Sequence, residues 1–140
     1  MTTQRLVAAA LTAATIAAAL AGTNATTTAA HHDCHTKACA ARVQHRALER
    51  HYQRTWRAAP PAVRAHLRRI AQCESRGNHR ATSPSGRYRG LLQFLPATWR
   101  AVGGRGDPAA ATRWEQWARG ARLYLRAGPD QWPACSKRTR

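Results

Sequence analysis

The chain has 140 residues, a net charge of +17 and only six carboxylates, Asp33, Glu49, Glu74, Asp107, Glu115 and Asp130, against 23 bases. That length holds one small domain with tails. A calcium or magnesium cage is excluded, because hard cations need several clustered oxygen ligands, and no Gly-rich phosphate loop marks a nucleotide enzyme.

Arg5 precedes an apolar, uncharged run from Leu6 to Leu20. The run has the length of a signal-peptide core and falls short of the ~20 residues that span a bilayer. Ala19-Leu20-Ala21 offers a cleavage site. Residues 1–30 are therefore read as a signal peptide, and the mature protein as secreted and cell-wall-associated.

The mature chain keeps Cys34, Cys39, Cys73 and Cys135. An even cysteine count in a small exported protein suggests disulfides, here with three possible pairings. Cys34–Cys39 with Cys73–Cys135 is the simplest. The second bridge would close a loop of about sixty residues, worth roughly 4 kcal/mol in chain entropy. His31-His32-Asp33-Cys34-His35, with Cys39 and His45 beyond, lacks a recognised zinc spacing. It is read as a small disulfide loop with solvated histidines, and no metal or other cofactor is expected.

Residues from about Lys37 to Arg57 carry no Gly or Pro. Leu48, Tyr52 and Trp56 recur every fourth residue, one stripe of a helix. Residues 31–59 thus form a Cys/His-containing helical extension, either mobile or packed on the domain as a lid. Pro60-Pro61 breaks it.

The domain expected over 60–136 begins with a helix from about Ala62 to Ser75. Val63, Leu67, Ile70 and Ala71 make its apolar face. Glu74 falls on the same face, while Arg64, Arg68 and Arg69 point elsewhere. Gly77-Asn78 ends the helix. Ser83-Pro84-Ser85-Gly86 is a loop signal, and Leu91, Leu92, Phe94 and Leu95 form a strand or buried loop. Pro96 opens a brief helix containing Thr98, Trp99 and Val102, stopped at Gly103-Gly104. Asp107-Pro108 marks a turn.

Thr112-x-x-Glu115 is a capping-box pattern. Trp114, Trp117, Ala118, Ala121, Tyr124 and Leu125 follow as a wide apolar helical stripe, which Gly128-Pro129 ends. Trp132-Pro133 and Cys135 follow, and the basic residues 137–140 are expected to be a frayed tail. The fold class is mainly α, or small α+β.

Elimination among the six acids singles out Glu74. Asp33 and Glu49 lie in the extension, Asp107 and Asp130 in turns, and Glu115 at a cap. A carboxyl on an apolar helix face is partly desolvated, which raises its pKa. A carboxyl that stays neutral is what a general acid for glycosidic cleavage requires. The alternative for Glu74 is an ion pair with an arginine such as Arg76.

Four segments together resemble the transglycosylase-like domain of resuscitation-promoting factors. They are Cys73-Glu74-Ser75-Arg76-Gly77-Asn78, Gly86-Arg87-Tyr88-Arg89-Gly90-Leu91-Leu92-Gln93-Phe94, Thr98-Trp99 and Trp132-Pro133-Ala134-Cys135. The resemblance covers roughly residues 62–135, in order and at compatible spacing. It implies a compact lysozyme-like fold, secretion, and cleavage of peptidoglycan glycan strands. It also implies a catalytic role for Glu74, a Cys73–Cys135 disulfide, and glycan binding by Tyr88, Gln93, Thr98 and Trp99. The bland alternative for those side chains is core packing, above all for Phe94 and Trp99. Arg76 stands where the family often has glycine, and His79 where it often has tryptophan.

The implied reaction cleaves the β-1,4 bond between N-acetylmuramic acid and N-acetylglucosamine, with Glu74 acting first as acid and then as base. Asp107 is the only second carboxylate that could join it. Lytic transglycosylation and hydrolysis both stay open. The rival from another class is a non-catalytic cationic cell-wall-binding module. Expected partners are peptidoglycan strands and, through charge, anionic wall polymers. Nucleic acid is not expected, since nothing matches a recognition motif, and the protein is expected to be a monomer.

Overall fold

The computed structural model describes residues 36–139. The expected signal peptide, the histidine cluster at 31–35 and the pairing of Cys34 lie outside the described residues. Five α-helices follow in order: α1 (Lys37–Ala58), α2 (Pro61–Ser75), α3 (Pro96–Ala101), α4 (Arg113–Ala127) and α5 (Pro133–Arg138). Short 3-10 turns at Pro108–Ala110 and Pro129–Gln131 lead into α4 and α5. Extended pairing among the described residues amounts to two isolated bridges, Thr82 with Arg89 and Arg89 with Phe94. The fold is mainly α, as the apolar periodicities predict. No described helix is long and apolar enough to cross a membrane.

The core is one cluster to which every helix contributes. Leu67, Ile70 and Ala71 enter it from α2, Trp99 from α3, Ala121 and Leu123 from α4, Cys135 from α5 and Trp56 from α1. Leu91, Leu92 and Phe94 supply its centre from an irregular segment. They form a buried turn rather than a strand. Buried backbone needs polar partners, and Gln116, itself fully buried on α4, provides them. Its Oε1 accepts from the Leu91 N–H at 2.6 Å. Its Nε2 donates to the carbonyls of His79 at 2.8 Å and Ala111 at 3.0 Å.

The extension is docked through its C-terminal half. The Trp56 ring stacks on Trp117 of α4 with centroids 4.7 Å apart. Tyr52 donates its hydroxyl proton to Glu115 Oε1 at 3.2 Å and accepts from Arg119 Nη2 at 3.1 Å. Leu48, the third member of the predicted stripe, stays 53% exposed. Glu115 therefore does only half of what its capping motif suggests. Its N–H bonds Thr112 Oγ1, but its carboxylate turns away from the cap to Tyr52 and Arg119.

Two boundaries differ from expectation. α2 starts at Pro61, whose missing N–H costs nothing at a first helical position. The C-terminal segment is not frayed after Cys135. It is helical through Arg138, because Arg69 Nε donates to the Thr139 carbonyl at 2.7 Å and Ser136 packs fully buried.

Candidate active site

Glu74 sits in the last turn of α2, one residue past the disulfide between Cys73 and Cys135. Cys39 is disulfide-bonded as well. The helix stops because Arg76 adopts a left-handed conformation at φ 55° and its N–H turns back to the carbonyls of Ala71 and Gln72. Ser75 fixes the neighbouring wall, donating its hydroxyl to Leu91 O at 2.7 Å and Ala71 O at 3.1 Å.

The disulfide brings α5 to the end of α2. A cleft of about 240 Å³ opens between them, lined by Glu74, Tyr88, Gln93, Gln131, Trp132 and the first residues of α5. Glu74 is the only carboxylate in that lining. The ion pairs among the described residues are Arg89–Asp107 and Arg119–Glu115, so Glu74 is not paired with Arg76. Half-burial alone pushes its pKa above the ordinary glutamate value, since desolvation disfavours the charged form.

Gln93 is the second strained residue, at φ 49°. Its Nε2 donates to Gly90 O at 2.9 Å, which holds the side chain across the turn. Gln93 itself lines the cleft. Tyr88 is 42% exposed at the rim.

The other sequence candidates fall elsewhere. Thr98 lines a neighbouring groove with Ala97, Ala101, Arg126 and Gln131. Gln131 is common to that groove and the Glu74 cleft. Trp99 is fully buried, 0% exposed, and is absent from the cleft lining. It packs edge-on against Phe94, lies under the Arg119 guanidinium and donates Nε1–H to Arg105 O. Asp107 is committed too. It pairs with Arg89 at 3.0 Å and caps the Ala109 N–H, and it is absent from the cleft lining.

Gln131 and Trp132 line the cleft as well, and sequence reasoning missed them. A signal existed: a disulfide from the residue before Glu74 to Cys135 must carry residues 131–134 to the acid. Trp132 is 4% exposed and forms the back wall. Its Nε1 donates to Leu92 O at 2.8 Å and its ring stacks on Tyr124. Tyr124 in turn donates its hydroxyl to His66 Nδ1 at 2.8 Å, since His66 Nε2–H is given to the Ser136 carbonyl. A larger groove of about 490 Å³ between α1 and α4 is almost wholly apolar and carries no acid.

Fold and site together define a small, helical, disulfide-tied domain with one unpaired, desolvated glutamate in a cleft. The chain belongs to the transglycosylase-like domain family, whose model matches residues 61–135, and it is similar to resuscitation-promoting factors. Resuscitation-promoting factor RpfC of Mycobacterium tuberculosis is 53% identical over 66 residues, 47% of this chain and 46% of the relative. RpfE of the same species is 45% identical over 80 residues, 56% of this chain and 45% of the relative. A probable transglycosylase, SceD 2 of Staphylococcus saprophyticus, is 45% identical over 74 residues, 50% of this chain and 30% of the relative. The chain spans less than half the length of these curated relatives.

Proposed function

We propose that this protein is an exported enzyme that cleaves peptidoglycan glycan strands, with Glu74 as its single acid and base. The carrying observation is a half-buried glutamate with a raised pKa that lines a cleft with no other carboxylate. A protonated Glu74 donates to the glycosidic oxygen between N-acetylmuramic acid and N-acetylglucosamine. The bond from that oxygen to the muramic C1 breaks, and positive charge develops at C1.

Two-carboxylate glycosidases place their second acid ~5–9.5 Å from the first. Asp107, tied to Arg89 and a helix cap, does not take that part. The ionised Glu74 is then the base left for the second step. It takes the proton of the muramic 6-hydroxyl as that oxygen attacks C1, closing a 1,6-anhydro ring. The products are an anhydro-muramic end and a free 4-hydroxyl, with no water consumed. Lytic transglycosylation is thus the favoured outcome. Gln93 and the Tyr88 rim supply hydrogen-bonding groups for the sugars. Export is supported by the oxidised Cys73–Cys135 pair, since disulfides persist in oxidising compartments.

Mass spectrometry of peptidoglycan digested by the oxidised protein and by Glu74→Gln tests this. The parent is expected to release muropeptides with anhydro-muramic ends, and the isosteric amide none. Reducing ends would convert the reading to hydrolysis. Release by Glu74→Gln at the parental rate would end the assignment.

A further inference from the structure

Helix α1 carries six bases, Lys37, Arg42, Arg46, Arg50, Arg54 and Arg57, against one acid, Glu49. Arg42, Arg46, Arg50 and Arg54 recur every fourth residue. At ~100° per residue they drift over an arc of only ~120°, and Arg57 falls within the same arc. All five arginines are exposed. The Tyr52–Trp56 seam that packs on α4 lies on another face, and half-buried Glu49 stands at the edge between the two. The arginine face runs about 22 Å along the axis, at 1.5 Å per residue.

Several arginines in the rest of the fold are engaged by partners. Arg68 lies over the Trp56 ring, Arg69 bonds Thr139 O, Arg89 pairs with Asp107, Arg119 pairs with Glu115, and Arg126 bonds Ala101 O. On α1 the arginine face has no ion pair or hydrogen bond among the described residues. Like charges four residues apart destabilise a helix. An arginine-rich composition explains the number of arginines but not their register. A row of unpaired guanidinium groups on a rod docked at one end fits a linear polyanion lying along it.

We infer that the outer face of α1, from Arg42 to Arg57, binds a phosphodiester-linked anionic polymer of the cell wall and so holds the domain at its place of work. A wall polymer is the occupant because the protein reads as exported and its cleft as facing glycan. The binding itself does not require that the cleft cleave anything.

The test compares purified walls carrying their phosphodiester polymers with walls stripped of them by acid. The oxidised protein and its R42Q/R46Q/R50Q/R54Q variant are bound to both between 50 and 200 mM salt. Glutamine keeps a similar helix propensity, and circular dichroism checks the fold. Each phosphate contact contributes ~0.7–0.9 to the slope of log affinity against log salt, so four lost contacts flatten it by about 3. Over a fourfold salt range the parent should lose roughly sixtyfold more affinity than the variant. R42K/R46K/R50K/R54K should keep the parental slope, because a phosphate is attracted by charge alone. Arg46→Gln should flatten the slope by a little under 1, which keeps the test alive if the quadruple variant misfolds. Equal binding of parent and glutamine variant would overturn the inference. So would equal binding to stripped walls, or a preference for phosphatidylglycerol vesicles or DNA over walls.

Discussion

Glu74 stands out because the sequence has so few acids, and the structure puts it in a cleft without a partner. Its raised pKa has two measurable consequences. As general acid it must carry a proton, so kcat/KM should fall as pH rises through a midpoint above 4.5, the ordinary value. An alkaline limb at that midpoint that persists in Glu74→Gln would assign it to another group. The sign for stability is the same. A carboxyl with a raised folded-state pKa favours folding below its unfolded pKa, and that contribution is lost as pH rises through the folded pKa. Glu74→Gln should therefore melt above the parent at neutral pH, and the gap should close toward pH 4. Arg76 carries a different strain. A non-glycine residue at φ 55° crowds its Cβ. Arg76→Gly should stabilise the protein by about 0.5–1 kcal/mol, read from denaturant midpoints, because glycine reaches that region freely. Burial is the property that residue types conceal. Trp99 satisfies the family pattern of a cleft residue, yet Phe94, Arg119 and the Arg105 carbonyl enclose it.

Among the elements, helices were legible and the segment between α2 and α3 was not. Helix signals are periodic: Leu67, Ile70 and Ala71 mark α2, and Thr112 caps α4 where expected. The 76–95 segment has no period. It is set by two φ-positive non-glycine residues, Arg76 and Gln93, by φ-positive glycines at 77, 86 and 90, and by bonds from distant side chains. Gln116 makes two of those bonds, and nothing in the α4 stripe announced that a glutamine between Trp114 and Trp117 would be fully buried. Gln116→Ala would leave the Leu91 N–H and the His79 carbonyl unpaired in the interior. Each such group costs ~1–3 kcal/mol. The variant should lose about 3 kcal/mol or more of stability, read by denaturant unfolding. Even where it stays folded it should lose kcat, because Leu91 anchors Ser75 beside Glu74 and the same turn carries Gln93. A folded Gln116→Ala protein with parental kcat would show that the turn holds its shape without α4.

For the whole molecule, the decisive connection is the disulfide that ties α2 to α5. A core of this size supplies only a few kcal/mol. Cys73–Cys135 closes a separation of 62 residues, which in the chain-entropy account is worth roughly 4 kcal/mol. For a domain of about 100 residues each kcal/mol moves Tm by ~4–8 °C. Reduction, or Cys73→Ser with Cys135→Ser, should thus lower Tm by roughly 20 °C, and scanning calorimetry would read it. The bridge also borders the cleft, so geometry and stability have to be separated. α5 is held independently by His66 to Ser136 O, Arg69 to Thr139 O and the Trp132 indole to Leu92 O. Those bonds keep Trp132 and the start of α5 beside Glu74 for as long as the chain is folded. Glycan cleavage by the reduced protein should therefore survive in the cold, below its lowered Tm, and vanish at temperatures where the oxidised protein still works. Loss of cleavage in the cold, with the helical signal intact, would mean that the bridge itself sets the distance between the acid and the opposite wall.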